Sequence, residues 1–393
     1  MRGESSLLKI AALIMLVALW TAIPVSAAPG GKKGKPPTPT PTASPTPTPA
    51  PSPTPTPVCI QKTFQGRPIK LGVSGGNIND IGGGFCCVGT LGSLVTNGVN
   101  DYILSNNHVL ARQSTATSSA STGEDIIQPG LADSSCVAVA DSRVADLSDW
   151  EPLVFGKFGS NTVDAALATV VGGAVDLDGE IVNVGTLSPE IEPPSLNLAV
   201  QKMGRTTCLT TGTIAAVSVN VSVGYSKSCG AVAFGTANYT GQIMISSSTF
   251  SAGGDSGSLI VTREACPRAV GLLFAGSSTT TIANPIGAVL DALQVSMVGA
   301  CPTPAAVTSS STSSGGGPAD AAIAAAAKVR DRHEARIRAV HGVIGTGIAQ
   351  NARGQKVIQV YVEEDTPDVR ASIPAALDGV PTRVVETGEI VAY

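Results

Sequence analysis

The chain has 393 residues, with 25 basic against 29 acidic side chains and only 14% charged residues. A net charge of −4 offers neither nucleic acid nor an anionic membrane an electrostatic partner. The abundance of Gly, Val, Ala, Ser and Thr beside few Lys and Glu favours short strands over helices.

In chain order, residues 1–27 read as a secretory signal. Arg2 and Lys9 supply charge, Ile10 to Trp20 is apolar, and Val25-Ser26-Ala27 fits a cleavage site after Ala27. The apolar run falls short of the roughly 18 to 20 residues that a span needs, and no cysteine follows the cleavage site to take a lipid. The expectation is a secreted or extracytoplasmic chain without membrane insertion. Residues 28–58 are a basic patch, Lys32-Lys33-Gly34-Lys35, followed by alternating Pro and Thr. That alternation forbids helix and prefers extended polyproline II, so the stretch is a spacer without a core, read as a stalk or as a plain tail. Its composition also suits O-linked sugars.

Residues 59–301 show strand-sized apolar runs. The first set is Cys87 to Leu94, Asp101 to Leu104, Ile126-Ile127, Val137 to Ala140 and Ala165 to Val171. The second is Leu198 to Met203, Gly212 to Val223, Gly230 to Phe234, Gln242 to Ile245, Leu259 to Thr262 and Ala269 to Phe274. Gly, Asn and Ser separate them, as barrels of short antiparallel strands require. Ile286, Val289, Leu290, Leu293 and Met297 then repeat at helical spacing. Cysteines at 59, 86, 87, 136, 208, 229, 266 and 301 form an even set, which in an exported chain implies disulfides without fixing their pairing. Adjacent Cys86 and Cys87 point to opposite faces of a strand, so different partners are expected. No Cys-x-x-Cys with histidine at zinc spacing occurs, and neither a metal nor a cofactor is expected.

The chemistry centres on Ala252-Gly253-Gly254-Asp255-Ser256-Gly257-Ser258. A nucleophilic hydroxyl needs a base and amides for the oxyanion. Gly254 lacks a Cβ, so its N–H can turn inward beside that of Ser256 as an oxyanion hole. On these residues alone, a polar Gly/Ser turn between strands remains an equal reading. The base decides. His108 is the single histidine before the C-terminal module, where the apolar run Tyr102 to Leu104 enters the polar corner Ser105-Asn106-Asn107. Asp164 opens a small-residue strand between histidine and serine, whereas Asp141, Asp146 and Asp149 read as loop residues. His, Asp, Ser is one of the orders in which this triad occurs.

With these motifs the chain resembles trypsin-like (chymotrypsin-fold) serine peptidases, and among them bacterial extracytoplasmic members and the narrow-leaf-type peptidases of plants. Leu104 to Ala111, Gln128-Pro129-Gly130, Gly204-Arg205-Thr206-Thr207, Gly254 to Leu259 and Gly271 to Gly276 carry the resemblance, over roughly residues 85–297. It implies two six-stranded antiparallel β-barrels closed by a helix, with His108 and Asp164 from the first and Ser256 from the second. It also implies a secreted endopeptidase acting on proteins or peptides through an acyl-enzyme. Phe250, Ser251 and Gly276 are then the substrate pocket, and with no acid there an uncharged, small or apolar side chain fits better than Lys or Arg. Asn107 and Val109 stand where animal trypsins place alanine and cysteine around the histidine, so the neighbouring disulfide is missing. Asp255 supports the turn rather than reacting.

Residues 302–318 are a Ser/Gly linker, and 319–393 read as a small α/β module. Its elements are a helix to about Val340, strands Gly342 to Ala349 and Lys356 to Glu363, a short helix near Asp368 to Leu377, and a last strand near Thr382 to Val391. The module resembles a segment that precedes the protease domain in related bacterial peptidases, with the order switched. It is read either as an independent appendage or as a partner of the peptidase cleft. Two other functional readings compete with that of an endopeptidase. A catalytically silent trypsin-like surface or binding protein keeps the same barrels. An α/β-hydrolase esterase fails, because position 258 is serine and the order of the triad is reversed.

Overall fold

A computed structural model describes residues 61–117, 120–226, 233–301 and 318–393. The signal, the Pro/Thr spacer, Cys59, Cys229 and the linker through residue 317 lie outside the described residues.

The first barrel is made by one bend. Strand Gly89–Leu91 pairs with Val73–Asn77, while Ser93–Thr96 pairs with Asp101–Ser105. From there the sheet runs through Ala166–Val170, Arg143–Trp150 and Asp125–Ile127 back to Val73–Asn77, every pair antiparallel. Residues 89–96 are one stretch turned at Gly92, so the sheet meets itself and closes. A Cβ at Gly92 would overlap the Gly257 carbonyl, so the bend needs glycine there. Leu91, Leu94, Ile103, Leu104, Ile126, Val144 and Leu147 fill the interior, each worth about 1.5–3 kcal/mol of transfer free energy.

The second barrel closes the same way. Strands Ala199–Lys202, Leu259–Thr262, Ala269–Gly276, Thr280–Pro285, Ala233–Ser246 and Thr210–Ser226 follow one another, and the last pairs back to the first. The helix Ile286–Leu293 buries Ile286, Val289, Leu290 and Leu293, as their spacing predicts. Met297 lies beyond it on the short strand Ser296–Met297, which pairs with Ser93–Thr96 of the first barrel. Two six-stranded antiparallel barrels with a closing helix are thus present.

Three local expectations change. Val137 to Ala140 is not a strand: Cys136 is tied to Cys86, and Ser135, Cys136 and Asp141 take positive φ, which turns the chain too sharply to pair. Arg143–Trp150 is a strand instead, so Asp146 and Asp149 are strand residues and not loop residues. The last strand of the module is broken into Val380–Glu386 and Val391–Ala392, with Gly388 at φ 70° between them. Cys266 pairs with Cys301, and Cys87 and Cys208 are disulfide-bonded as well, so Cys86 and Cys87 do have different partners.

The C-terminal residues do not form a free-standing sheet. Strand Val343–Gln350 pairs antiparallel with the long barrel strand Thr210–Ser226, matching Ala216 with Ala349 and Val221 with Gly345. Lys356–Val362 and Val380–Glu386 continue outward from it. The helix Pro318–Ile337 covers one face, its Ala326 and Ile337 packed against Ile348, Ile358 and Val360. Buried Arg330 donates from Nη2 to Ser218 Oγ at 3.1 Å, and Asn220 Nδ2 donates to Glu334 at 2.7 Å.

Candidate active site between the barrels

His108 sits in the short turn Asn107–Leu110 that ends strand Asp101–Ser105. Two asparagines fasten this corner where the disulfide is missing. Asn106 donates to the Asp164 carbonyl at 2.7 Å, and Asn107 donates to the Ser114 and Glu151 carbonyls at 3.0 and 2.6 Å. Register does the rest, because Ser105 opposes Ala166 and so brings Asp164 to the histidine. The His108 amide donates to Asp164 Oδ1 at 3.2 Å, and Nδ1 lies 2.6 Å from Oδ2. Asp141, Asp146 and Asp149 have no such contact; Asp146 accepts from Arg143 instead.

The carboxylate of Asp164 is also held from the second barrel. Tyr225 Oη donates to Oδ2 at 2.7 Å and lies 2.5 Å from Tyr239 Oη. Because Tyr225 gives its proton to the carboxylate, Tyr239 donates to Tyr225. Burial and the Asp164 charge push the Tyr225 hydroxyl well above its ordinary pKa, so it stays a donor. Sequence reading missed Tyr225 altogether, and no local signal marks it. Burial opposes a charged His108, but the Asp164 charge and hydrogen bond, then the Tyr393 carbonyl and the Asp80 charge, outweigh it. The net direction is upward.

Ser256 follows a turn clamped between the barrels. Thr90 N–H donates to the Ser256 carbonyl at 2.8 Å, and Thr90 Oγ1 donates to the Gly254 carbonyl at 3.0 Å. Gly254 and Gly257 have φ of 92° and 89°, and a Cβ at Gly257 would overlap Ser105 Oγ, so both positions require glycine. The amides of Gly254 and Ser256 meet no acceptor among the described residues, whereas Gly257 N–H is spent on the Leu273 carbonyl. Asp255 is enclosed: it accepts from the amides of Thr206, Thr207 and Ala252 and from Thr207 Oγ1, and lies 3.4 Å from Lys202 Nζ. It props the turn and does not face the cleft.

Ser256 Oγ donates to the Phe274 carbonyl at 3.0 Å, not to His108. The same carbonyl accepts from Tyr393 N–H at 3.2 Å, and the Tyr393 carbonyl oxygen lies 3.1 Å from His108 Nε2. Serine and histidine are therefore gathered around one residue of the C-terminal segment. Val391–Ala392 pairs antiparallel with the cleft strand Ala269–Gly276, Ala392 opposite Ala275 and Val391 opposite Gly276. Ser251 and Gly276 line the adjoining cavity. Phe250 does not, which corrects its placement in the pocket: its ring packs into the barrel core with Val200, Ile214 and Ile260.

No protein-family model and no curated protein matches the chain. Among solved structures it is similar to chymotrypsin-fold serine proteases of bacteria. A glutamic-acid-specific serine protease is 20% identical over 58% of this chain and 100% of that one, with a TM-score of 0.37. Protease A of Thermobifida fusca is 18% identical over 59% and 98%, with a TM-score of 0.37. A Nocardiopsis protease is 16% identical over 58% and 98%, with a TM-score of 0.38.

Proposed function

We propose that the chain is a secreted serine endopeptidase whose cleft is closed by its own C-terminal segment. Ser256 Oγ attacks the carbonyl carbon of the peptide bond while His108 Nε2 takes its proton. The displaced electron pair collects on the carbonyl oxygen, facing the amides of Gly254 and Ser256. Its return breaks the C–N bond, the amine leaves with the proton from His108, and Ser256 is left esterified. Water, deprotonated by His108, then attacks the ester and frees the acid and the serine. Asp164 orients His108 and stabilises the imidazolium.

The observation that supports this reading most is the seat of Tyr393. An extended segment lies antiparallel on a cleft strand with the Tyr393 carbonyl against His108 Nε2, as a peptide added to that strand would. Secretion is supported by the disulfides Cys86–Cys136 and Cys266–Cys301, which persist in oxidising compartments. The bond from Ser256 to Phe274, rather than to His108, favours a second reading: a catalytically silent trypsin-like surface or binding protein.

A fluorophosphonate probe separates the two readings on the full chain carrying Tyr393→Ala. Labelling mapped to the Ser256 peptide is the expected result, and Ser256→Ala should abolish it and lower kcat about 10⁶-fold. An unlabelled Ser256 in a folded chain leaves the silent reading standing.

A further inference from the structure

We propose that the site cuts after aromatic residues, tyrosine before all others, and that Val391-Ala392-Tyr393 is the chain's own copy of its preferred sequence. This rests on the peptidase reading and adds its substrate class. The backbone pairing with Phe274, Ala275 and Gly276 fixes where each side chain of the segment points, since neighbours along a strand alternate in direction. Tyr393 is thereby directed into the cavity lined by Ser248, Ser251, Ala252, Gly253, Gly276 and Ser277.

Three features select a phenol there. A Cβ at Gly276 would overlap the Tyr393 hydroxyl, so the ring occupies space that only glycine leaves open. Tyr393 Oη donates to the Ser277 carbonyl at 2.9 Å, and burial pushes this hydroxyl above its ordinary pKa, so it remains a donor. Phenylalanine would leave that carbonyl without its hydrogen bond. Among the described residues lining the cavity the one charged side chain is Glu389, just ahead of the segment. The nearby charge of Asp255 is already committed to three amides and Lys202, so a lysine or arginine side chain meets no free acid in the wall. The small or apolar preference inferred from the residues before Ser256 gives way to a large one, because the pocket is bounded by Gly276 and Ser277 and not floored by Phe250.

The test uses the full chain with Tyr393→Ala and the nitroanilides succinyl-Val-Ala-X, where X is Tyr, Phe, Ala or Lys. Tyrosine should exceed phenylalanine about tenfold in kcat/KM, as one unpaired acceptor implies, and should exceed alanine and lysine roughly 100-fold or more. In a chain that also carries Ser256→Ala, calorimetry should find acetyl-Ile-Val-Ala-Tyr bound at least tenfold tighter than its lysine counterpart. Better turnover of alanine or lysine, with Ser256 labelled by fluorophosphonate, would overturn the substrate class and leave the peptidase reading intact. Neither labelling nor turnover would overturn both, whatever the peptide affinities.

Discussion

Two aspartates in this molecule have no exposed surface, and their neighbours differ in kind. Asp255 is ringed by three amides and a threonine hydroxyl of half-buried residues and by the buried ammonium of Lys202. Asp164 is held by the His108 amide and ring and by Tyr225. Lys202 is as buried as its partner, so burial pulls its pKa down to about 8 even against the attraction of Asp255. His108 has a second nitrogen turned to the cleft, 3.1 Å from a carbonyl oxygen. Burial of a carboxylate therefore does not mark chemistry by itself. What marks it is a partner that can exchange a proton on its far side.

The sharpest way to break this contrast is to neutralise each aspartate in turn. Asp164→Asn should leave the melting temperature nearly unchanged and cost about 10⁴-fold in kcat, because His108 would be held in the wrong tautomer. Should that variant be harmless while Asp146→Asn or Asp149→Asn is not, the orienting carboxylate is one of those strand residues. Asp255→Asn should do the reverse. It leaves the Lys202 charge buried without its ion partner, a loss of about 3–5 kcal/mol in stability, visible in thermal or denaturant unfolding. An unchanged unfolding midpoint with activity lost would make Asp255 part of the chemistry.

Tyr225 sharpens the contrast from the other side. Its hydroxyl meets Asp164 and Tyr239 and not the Nε2 of His108, so it is a positioning residue, passing a hydrogen bond from Tyr239 to Asp164. A hydrogen bond to a charged group is worth about 1.5–3 kcal/mol, so Tyr225→Phe should lower kcat roughly ten- to a hundredfold with KM unchanged. A rise in KM at constant kcat would mean the tyrosine shapes the pocket instead.

How far the sequence foretold this arrangement depends on the range of the interaction. The barrels were legible because each strand carries its own apolar run. His108, Asp164 and Ser256 stand out as candidates because each sits beside one, and of these the His108–Asp164 contact is what the fold brings together. Arg143–Trp150 was hidden: its polar Asp146, Ser148 and Asp149 interrupt the apolar pattern, and its register slips between Leu147 and Asp149. Tyr225 stands 61 residues from Asp164 on a strand of Val, Ser and Gly, so only folding shows the pair. The module's strands were legible, but their joining to Thr210–Ser226 is a property of two sheet edges. The departure of residues 391–393 from the module, past Gly388, had no signal beyond one glycine.

The smallest expected effect is a shift and not a loss, and it concerns the far nitrogen of His108. With Tyr393 against the ring, Nδ1 faces Asp164 and Nε2 faces a carbonyl, so both must donate, which only the imidazolium does. Burial works against that charge, but Asp164, Tyr393 and Asp80 together hold the pKa above its ordinary value. The Tyr393 hydrogen bond is one of the causes that raise it, so where that bond outweighs the burial Tyr393 adds, seating Tyr393 takes up a proton. The grip of Tyr393 is then complete below the open-state pKa and weakens as pH rises through the closed-state value. Asp80, which burial pushes up to about 6 against the pull of Arg112 and His108, titrates nearby, with Glu124 also close. Comparing two chains that differ only at Tyr393 cancels these groups. The kcat/KM profile of the Tyr393→Ala chain on a tyrosine nitroanilide should therefore have its rising limb at lower pH than that of the unaltered chain. The two limbs should converge at alkaline pH, where the imidazole is neutral in both. Superimposable limbs throughout would mean that Tyr393 does not hold the proton on His108, and its contact with Nε2 would carry no regulatory weight.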